Sequence, residues 1–141
     1  MCNAVSVLWA ERLGNSGVHL RLSTSLLPAP RPRLSKHGAY LPAQYRKYRE
    51  SLATELAKHI PSDRRNYAIR ITVYRDYDVC DKRYGDVDNL AKTIMDALPF
   101  DDARVVAISI TKRTGKPRVL LTVKWGVKES GTITTTDIGT D

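Results

Sequence analysis

The chain has 141 residues, a length that predicts a single domain with a modest core. Its formal net charge of +8 favours a polyanionic partner. Nucleic acid is the first candidate and an anionic membrane surface the second. No apolar run approaches the roughly 18 residues that cross a bilayer, and the N-terminus lacks a positively charged region before its apolar stretch, so a signal peptide is not expected. Cys2 and Cys80 are far apart and no histidine has a zinc-like spacing, which argues against a disulfide framework or a zinc site and favours a cytoplasmic protein.

The first half of the chain alternates between strand and helix patterns. Residues 1–17 form an extension to which no role is assigned, and "VHLRLST" (18–24) alternates apolar and polar residues as a half-buried strand does. Prolines at 28, 30, 32 and 42 then predict a rigid basic loop. The segment from about 43 to 59 predicts an amphipathic helix ended by Pro61, with a buried stripe of Tyr45, Tyr48, Leu52, Leu56 and Ile60. "YAIRITVYR" (67–75) is rich in β-branched and aromatic residues and predicts a strand.

The second half predicts one more helix and two more strands. A polar loop (76–87) leads to a helix at about 88–98, whose stripe of Leu90, Ile94, Ala97 and Leu98 ends at Pro99. "RVVAISITKR" and "KPRVLLTVKW" are expected to pair as an antiparallel hairpin that turns at Thr114 and Gly115. The tail, residues 126–141, is threonine-rich without periodicity and is expected to be mobile.

The predicted fold class is therefore α/β. We expect a small single domain at residues 18–125, in which a mixed β-sheet carries two main helices in the order β-α-β-α-β-β.

Five aspartates between positions 86 and 102 stand out in so basic a chain, because clustered carboxylates repel one another unless a cation or proton offsets them. Asp86 and Asp88 are two residues apart, which in extended backbone places both side chains on one face. A plainer interpretation is that Asp88 or Asn89 caps the following helix. The pair Asp76 and Asp78 matches no metal-binding loop and is expected to be solvated.

A third carboxylate could join this pair. The helix after Asp88 travels roughly 15 Å, and the four residues 99–102 can return at most roughly 13–14 Å. The chain can just bring Asp101 or Asp102 back beside Asp86 and Asp88, and spacing does not decide which. Three carboxylates would offer hard oxygen ligands, which suit Mg²⁺ or Mn²⁺.

Lys92 lies four residues after Asp88 and four before Asp96, so these residues share a helix face. Its side chain either forms surface ion pairs worth about 0.3–0.5 kcal/mol or stabilises the charge that develops on a phosphate during phosphoryl transfer.

A basic segment provides candidate phosphate contacts. Between residues 31 and 65 there are nine Lys or Arg residues against three acidic ones, and the "PRPR" run holds arginines in stiffened backbone, which reduces the entropy lost on binding. The residues expected to contact DNA are Arg31, Arg33, Lys36, Arg46 and Lys47.

The stretches "GDVDNLAKTIMDALPFDDARVV" and "RPRLSKHGAYLPAQYRKYRESL" resemble the RusA family of endodeoxyribonucleases, Holliday-junction resolvases of bacteria and their phages, over roughly residues 18–125. The resemblance implies that Asp86, Asp88 and Asp102 bind Mg²⁺ as the essential carboxylates and that Lys92 is the essential lysine. It also implies a compact α/β fold and a homodimer acting on branched DNA. The link between "DAL" and "DD" is a few residues shorter than is usual in the family, which leaves the choice between Asp101 and Asp102 open.

The leading hypothesis is a Mg²⁺-dependent endonuclease that resolves four-way junctions by paired phosphodiester hydrolysis in DNA recombination and repair. One alternative is a basic DNA-binding module without catalysis, whose acidic cluster only caps a helix. Another is a metal nuclease that accepts a broader set of branched DNA.

Overall fold

The fold is described from a computed structural model of the chain, in which residues 5–23, 33–35, 38–40, 43–82, 84–127 and 132–136 are described. The β-strands are β1 (Val7–Arg12), β2 (Gly17–Leu22), β3 (Arg33–Ser35), β4 (Gly38–Tyr40), β5 (Tyr67–Arg75), β6 (Val105–Thr114), β7 (Arg118–Lys124) and β8 (Thr132–Thr136). The two α-helices are α1 (Ala43–Ala57) and α2 (Val87–Ala97), and a short 3-10 helical turn, Asp102–Arg104, precedes β6.

Six strands form one mixed sheet in the order β1-β2-β7-β5-β6-β8, while β3 and β4 pair as a separate two-stranded ribbon. Pairing is parallel between β5 and β6 and between β6 and β8, and antiparallel elsewhere in the sheet. The predicted α/β class with two main helices on a mixed sheet is confirmed.

Both helices pack on one face of this sheet. Leu52 and Leu56 of α1 and Leu90 and Ile94 of α2 are fully buried, and they belong to the same apolar cluster as alternate residues of the central strands, such as Ile71. The predicted stripes of both helices are confirmed as buried. Because side chains alternate along a strand, the opposite face, which we call the open face, carries the residues between those of the core.

The predicted β6–β7 hairpin is wrong, although both strands exist. β5 lies between them, pairing with β6 in parallel and with β7 antiparallel. The β5–α2–β6 segment is a strand-helix-strand unit, whose parallel strands lie side by side, and this leaves the other edge of β5 for β7. The turn therefore crosses the end of β5, where the Gly115 amide donates to the Arg75 carbonyl at 2.7 Å.

Two strands lie beyond the interval 18–125. β1 pairs antiparallel with β2, with Trp9 opposite Arg21, and β8 pairs with β6, with Ile133 opposite Ile108. Neither strand was expected from the sequence. Threonines favour a strand once a neighbour offers backbone partners, but five residues without alternation leave no pattern to detect.

In the described ranges, no helix combines the length and the apolar character needed to cross a membrane.

Candidate active site

The loop between β5 and α2 carries Asp86 and is held by two buried side chains. The Tyr84 hydroxyl donates to the Val73 carbonyl at 2.6 Å and lies 2.7 Å from the Arg113 carbonyl. Burial raises the pKa of Tyr84, partly offset by its hydrogen bond with the Arg113 backbone. This tyrosine fixes the end of the loop to β5 and β6 at once.

Lys112 is the second anchor of this loop. Its side chain is buried although it is a lysine, and its ammonium donates to the Val79 carbonyl at 2.8 Å and the Gly85 carbonyl at 3.2 Å. The same ammonium lies 5.1 Å from the centre of the Tyr84 ring. Gly85 has φ +91°, a conformation that residues with a Cβ rarely adopt, so the loop turns here before α2 begins.

Lys112 is absent from the site residues predicted from the sequence, yet the sequence contains a signal for it. In "ISITK" the period of two places Lys112 on the same face as Ile108 and Ile110, and those isoleucines point into the core. A lysine on the buried side of a strand must find acceptors for its ammonium. Here the acceptors are carbonyls of the loop that carries Asp86.

The start of α2 leaves two carboxylates exposed. Asp86, and not Asp88 or Asn89, is the N-cap residue, with extended φ −79° and ψ 147° and no capping bond from its side chain. The helix instead uses the Asp86 carbonyl, which accepts from the Leu90 amide at 3.0 Å. Asp88 lies in the first turn, where its Oδ1 accepts from the Asn89 amide at 3.0 Å. Both side chains are exposed, and the positive end of the helix dipole favours anionic groups at this position.

Lys92 is exposed on α2. The ion pairs among the described residues join Lys58 to Glu55 and Arg64 to Asp63, so the surface pairs of Lys92 with Asp88 or Asp96 do not form. Its ammonium remains available one turn beyond Asp88.

Asp101 and Asp102 lie at the other end of α2. Asp101 caps the 3-10 turn, its Oδ1 accepting from the Ala103 amide at 2.9 Å. That bond lowers the Asp101 pKa, with a smaller contribution from the Asp102 side chain. One Asp101 oxygen is therefore engaged by its own turn, although Asp101 and Asp102 are both exposed.

The segment around Asp102 is fixed at the beginning of β5 and β6. The Phe100 ring stacks on Tyr67, the first residue of β5, with centroids 3.6 Å apart, and the Arg104 guanidinium donates to the Ser62 carbonyl at 2.7 Å. By contrast, Gly85, just before Asp86, contacts Lys112, which lies seven residues after Val105 on β6. At roughly 3.3 Å per residue, Val105 and Lys112 are about 23 Å apart along the strand.

Within one chain, Asp101 and Asp102 therefore do not return to the start of α2, as the lengths of the helix and of residues 99–102 would just allow. Asp86, Asp88 and Lys92 lie in the first two turns of α2 or at its N-cap, but Asp101 and Asp102 do not join them. In the described residues, no group of three or more acidic, histidine or cysteine side chains is placed to hold a metal ion. The chain does not fold back after α2 because Phe100 and Arg104 bind it to the start of the parallel strands.

The predicted DNA contacts are only partly described. Arg46 and Lys47 are exposed on α1, away from the buried stripe that contains Tyr45 and Tyr48. Arg33 is described only through its backbone in β3, and Arg31 and Lys36 lie outside the described residues.

A basic α/β domain with exposed paired aspartates at the start of a helix fits a protein that handles phosphodiesters. The family model "Endodeoxyribonuclease RusA" matches residues 25–124, which is more than half of the chain, so the chain belongs to the RusA family and is by family an endonuclease. No curated protein matches the chain.

Proposed function

We propose that this protein is a Mg²⁺-dependent endonuclease that resolves four-way DNA junctions as a homodimer, in recombination and repair. The observation that carries the proposal is the family match over residues 25–124, an interval that contains Asp86, Asp88, Lys92 and Asp102. The net charge of +8 supports a DNA substrate.

The donor chemistry of the site fits a hard divalent cation, Mg²⁺ or Mn²⁺. Asp86 and Asp88 are exposed carboxylates, and carboxylate oxygens are the ligands that such ions prefer. When bound, the ion would supply Lewis-acid polarisation of the phosphodiester and a more acidic water. The chain's own contribution is to hold Asp86 at the end of a loop fixed by Tyr84 and Lys112 and Asp88 in the first turn of the helix that follows.

The third carboxylate is proposed to come from a second copy. Within the described residues of one chain, Asp102 forms no metal-holding group with Asp86 and Asp88, while a twofold dimer places equivalent surfaces of two copies against each other. In this proposal Asp102 of one copy completes the pair of the other, and the dimer carries two such sites. Two sites related by a twofold axis suit paired cuts on a symmetric four-way junction.

Lys92 is proposed as the electrostatic catalyst. Its exposed ammonium lies one turn from Asp88 on the same helix and is not held in an ion pair with Asp88 or Asp96. A positive charge aimed at the scissile phosphate stabilises the additional negative charge of the transition state. Arg46 and Lys47 on α1, together with Arg31, Arg33 and Lys36, are proposed to hold the DNA backbone.

The separation of the acidic residues favours one alternative, a DNA-binding module without catalysis. A labelled four-way junction incubated with the full-length protein separates the two, with parallel reactions in Mg²⁺, in Ca²⁺ and in a chelator. We expect paired nicks in Mg²⁺ alone and junction binding in all three conditions. Binding without any cleavage in Mg²⁺ would establish the binding module, and cleavage of flap DNA as fast as of the junction, in parallel Mg²⁺ reactions, would establish a nuclease of broader branched-DNA preference.

A further inference from the structure

The open face of the main sheet carries a basic surface that the proposed active site does not use. On β1, β2, β5, β6 and β7, one acidic residue, Glu11, lies on this face. The basic residues there are Arg21, Arg70, Arg113, Arg118 and Lys124. Helices α1 and α2 pack on the opposite face, so this face of the described sheet is not covered by them.

Small side chains make the middle of the open face concave. Ala68, Ala107 and Ser109 lie beside Arg70 and Lys124 around a depression of about 310 Å³. Ala68 is directly opposite both Lys124 and Ala107, so small residues follow one another across adjacent strands. The floor is therefore backbone and methyl groups, and the charged ends project at its rim.

The two rim cations are neighbours on one surface. Lys124 is paired with Ala68, two residues before Arg70, and such diagonal neighbours on adjacent strands lie roughly 7–8 Å apart. Arg21 lies further along the same face, because it is opposite Leu120 of β7, four residues before Lys124, which places it roughly 12–14 Å from the other two cations. The side chains of Arg21, Arg70 and Lys124 are exposed, and the ion pairs found in the described residues involve none of them.

The positive charge of the open face indicates that it binds a polyanion rather than a second copy of the chain. Self-association through this face would bring like charges together and remove them from water without partners, which costs free energy. Apart from Arg70 and Lys124, the open-face side chains that line the depression are alanine, serine and threonine, rather than the aromatic and aliphatic residues that enrich subunit interfaces. The Ser109 hydroxyl beside two cations is instead a group of the kind that contacts DNA phosphates.

We infer that the open face binds the sugar-phosphate backbone of a DNA arm through Arg70, Lys124 and Arg21, separately from the basic loop and α1. The identification of the polyanion as DNA rests on the proposed function, whereas the position of the surface follows from the sheet. A four-way junction has arms that leave the cleavage point in several directions, so a second contact surface on each copy would select branched DNA over linear duplex.

The test is the salt dependence of binding, measured without cleavage. Full-length protein with Arg70→Gln, Lys124→Gln or both is titrated into a fluorescent four-way junction in Ca²⁺ at several salt concentrations, using anisotropy. Each lost phosphate contact lowers the slope of log K against log salt by about 0.9, so we expect the double variant to lose about 1.8. Lys58→Gln removes one exposed charge on the helix side and should leave the slope unchanged.

Unchanged slopes in both single variants and the double variant, with melting temperatures like that of the wild type, would overturn the inference. A changed sedimentation coefficient with an unchanged slope would also overturn it, because it would show that the face is a subunit interface. The inference and the proposed function fail separately. A wild type that binds junctions without cutting them refutes the nuclease, whereas normal cutting with unaltered slopes refutes this surface.

Discussion

The two ends of α2 carry carboxylates in different settings. At its beginning, Asp86 ends a loop held by the buried side chains of Tyr84 and Lys112, and Asp88 lies in the first turn of the helix. At its end, Asp101 is engaged by its own turn, and Phe100 and Arg104 bind the following segment to the start of β5 and β6. A parallel strand-helix-strand unit must keep these ends apart, because the helix runs back along the strands that it connects. Carboxylates close in sequence can thus belong to two different places on the surface.

The largest expected effect comes from exchanging subunits between two inactive variants. Asp88→Asn and Asp102→Asn should each reduce cleavage by on the order of 10³-fold or more, since each removes a proposed ligand. Asp88→Asn should still bind junctions, because it removes a negative charge facing phosphate. A mixed dimer of the two variants retains one intact site if Asp102 acts on the other copy. We expect that dimer to nick one strand of a junction, measured on differently labelled strands.

The matched control mixes Asp86→Asn with Asp88→Asn. These substitutions lie at the same end of α2, so both sites of that mixed dimer are damaged and no rescue should occur. If Asp88→Asn with Asp102→Asn stays as inactive as its parents, the shared site is wrong. Rescue in both mixtures would show that subunit exchange regenerates activity by another route.

The next prediction tests whether Lys92, near the beginning of α2, contributes to catalysis. Lys92→Ala should reduce single-turnover cleavage by on the order of 10²-fold, about 3 kcal/mol of barrier, while junction affinity and melting temperature stay close to the wild type. Lys92→Arg keeps the charge without the compact ammonium and should restore cleavage only in part. Loss of the exposed Lys58, whose ammonium pairs with Glu55 at 2.6 Å, should not change the rate. Cleavage by Lys92→Ala at the wild-type rate would show that Lys92 is a surface residue without a catalytic role.

The sequence predicts individual helices and strands more readily than it predicts which strands pair with one another. The periodicity of 67–75 and of both helices predicts these elements because one buried face decides their pattern. The order of β5, β6 and β7 depends on which edge each strand takes, and that choice is made by α2 crossing between β5 and β6, not by the turn at Gly115. Asp86 and Asp88 could be paired from spacing alone, whereas the distance to Asp102 depends on Phe100 stacking on Tyr67, a contact between residues 33 positions apart.

Lys112 tests whether the loop before α2 has to be held in place. Lys112→Met keeps most of the apolar volume but leaves the Val79 and Gly85 carbonyls without this donor, which should lower the free energy of unfolding by about 1–3 kcal/mol. If Lys112 positions Asp86, the Mg²⁺ concentration needed for half-maximal cleavage should rise severalfold while junction affinity in Ca²⁺ is retained. The exposed Lys116→Met is the control and should change neither quantity. A destabilised variant with an unaltered Mg²⁺ requirement would limit Lys112 to a role in stability.

The smallest expected effect is on folding stability at alkaline pH, and it concerns Tyr84, which holds the same loop. Burial raises the pKa of Tyr84 in the folded chain above its ordinary value of 10.0. The unfolded chain therefore loses this proton first, so the stabilisation is complete below pH 10 and is lost as pH rises towards the folded pKa. Tyr84→Phe should lower stability at neutral pH by about 1–3 kcal/mol, since the hydroxyl no longer donates to the Val73 carbonyl or accepts from the Arg113 amide. It should also flatten the fall in stability above pH 10. Denaturant titrations at several pH values between 8 and 11 measure both changes. If the free energy of unfolding of Tyr84→Phe falls as steeply above pH 10 as that of the wild type, the loss arises elsewhere. Tyr67 is one such place, because burial raises its pKa as well.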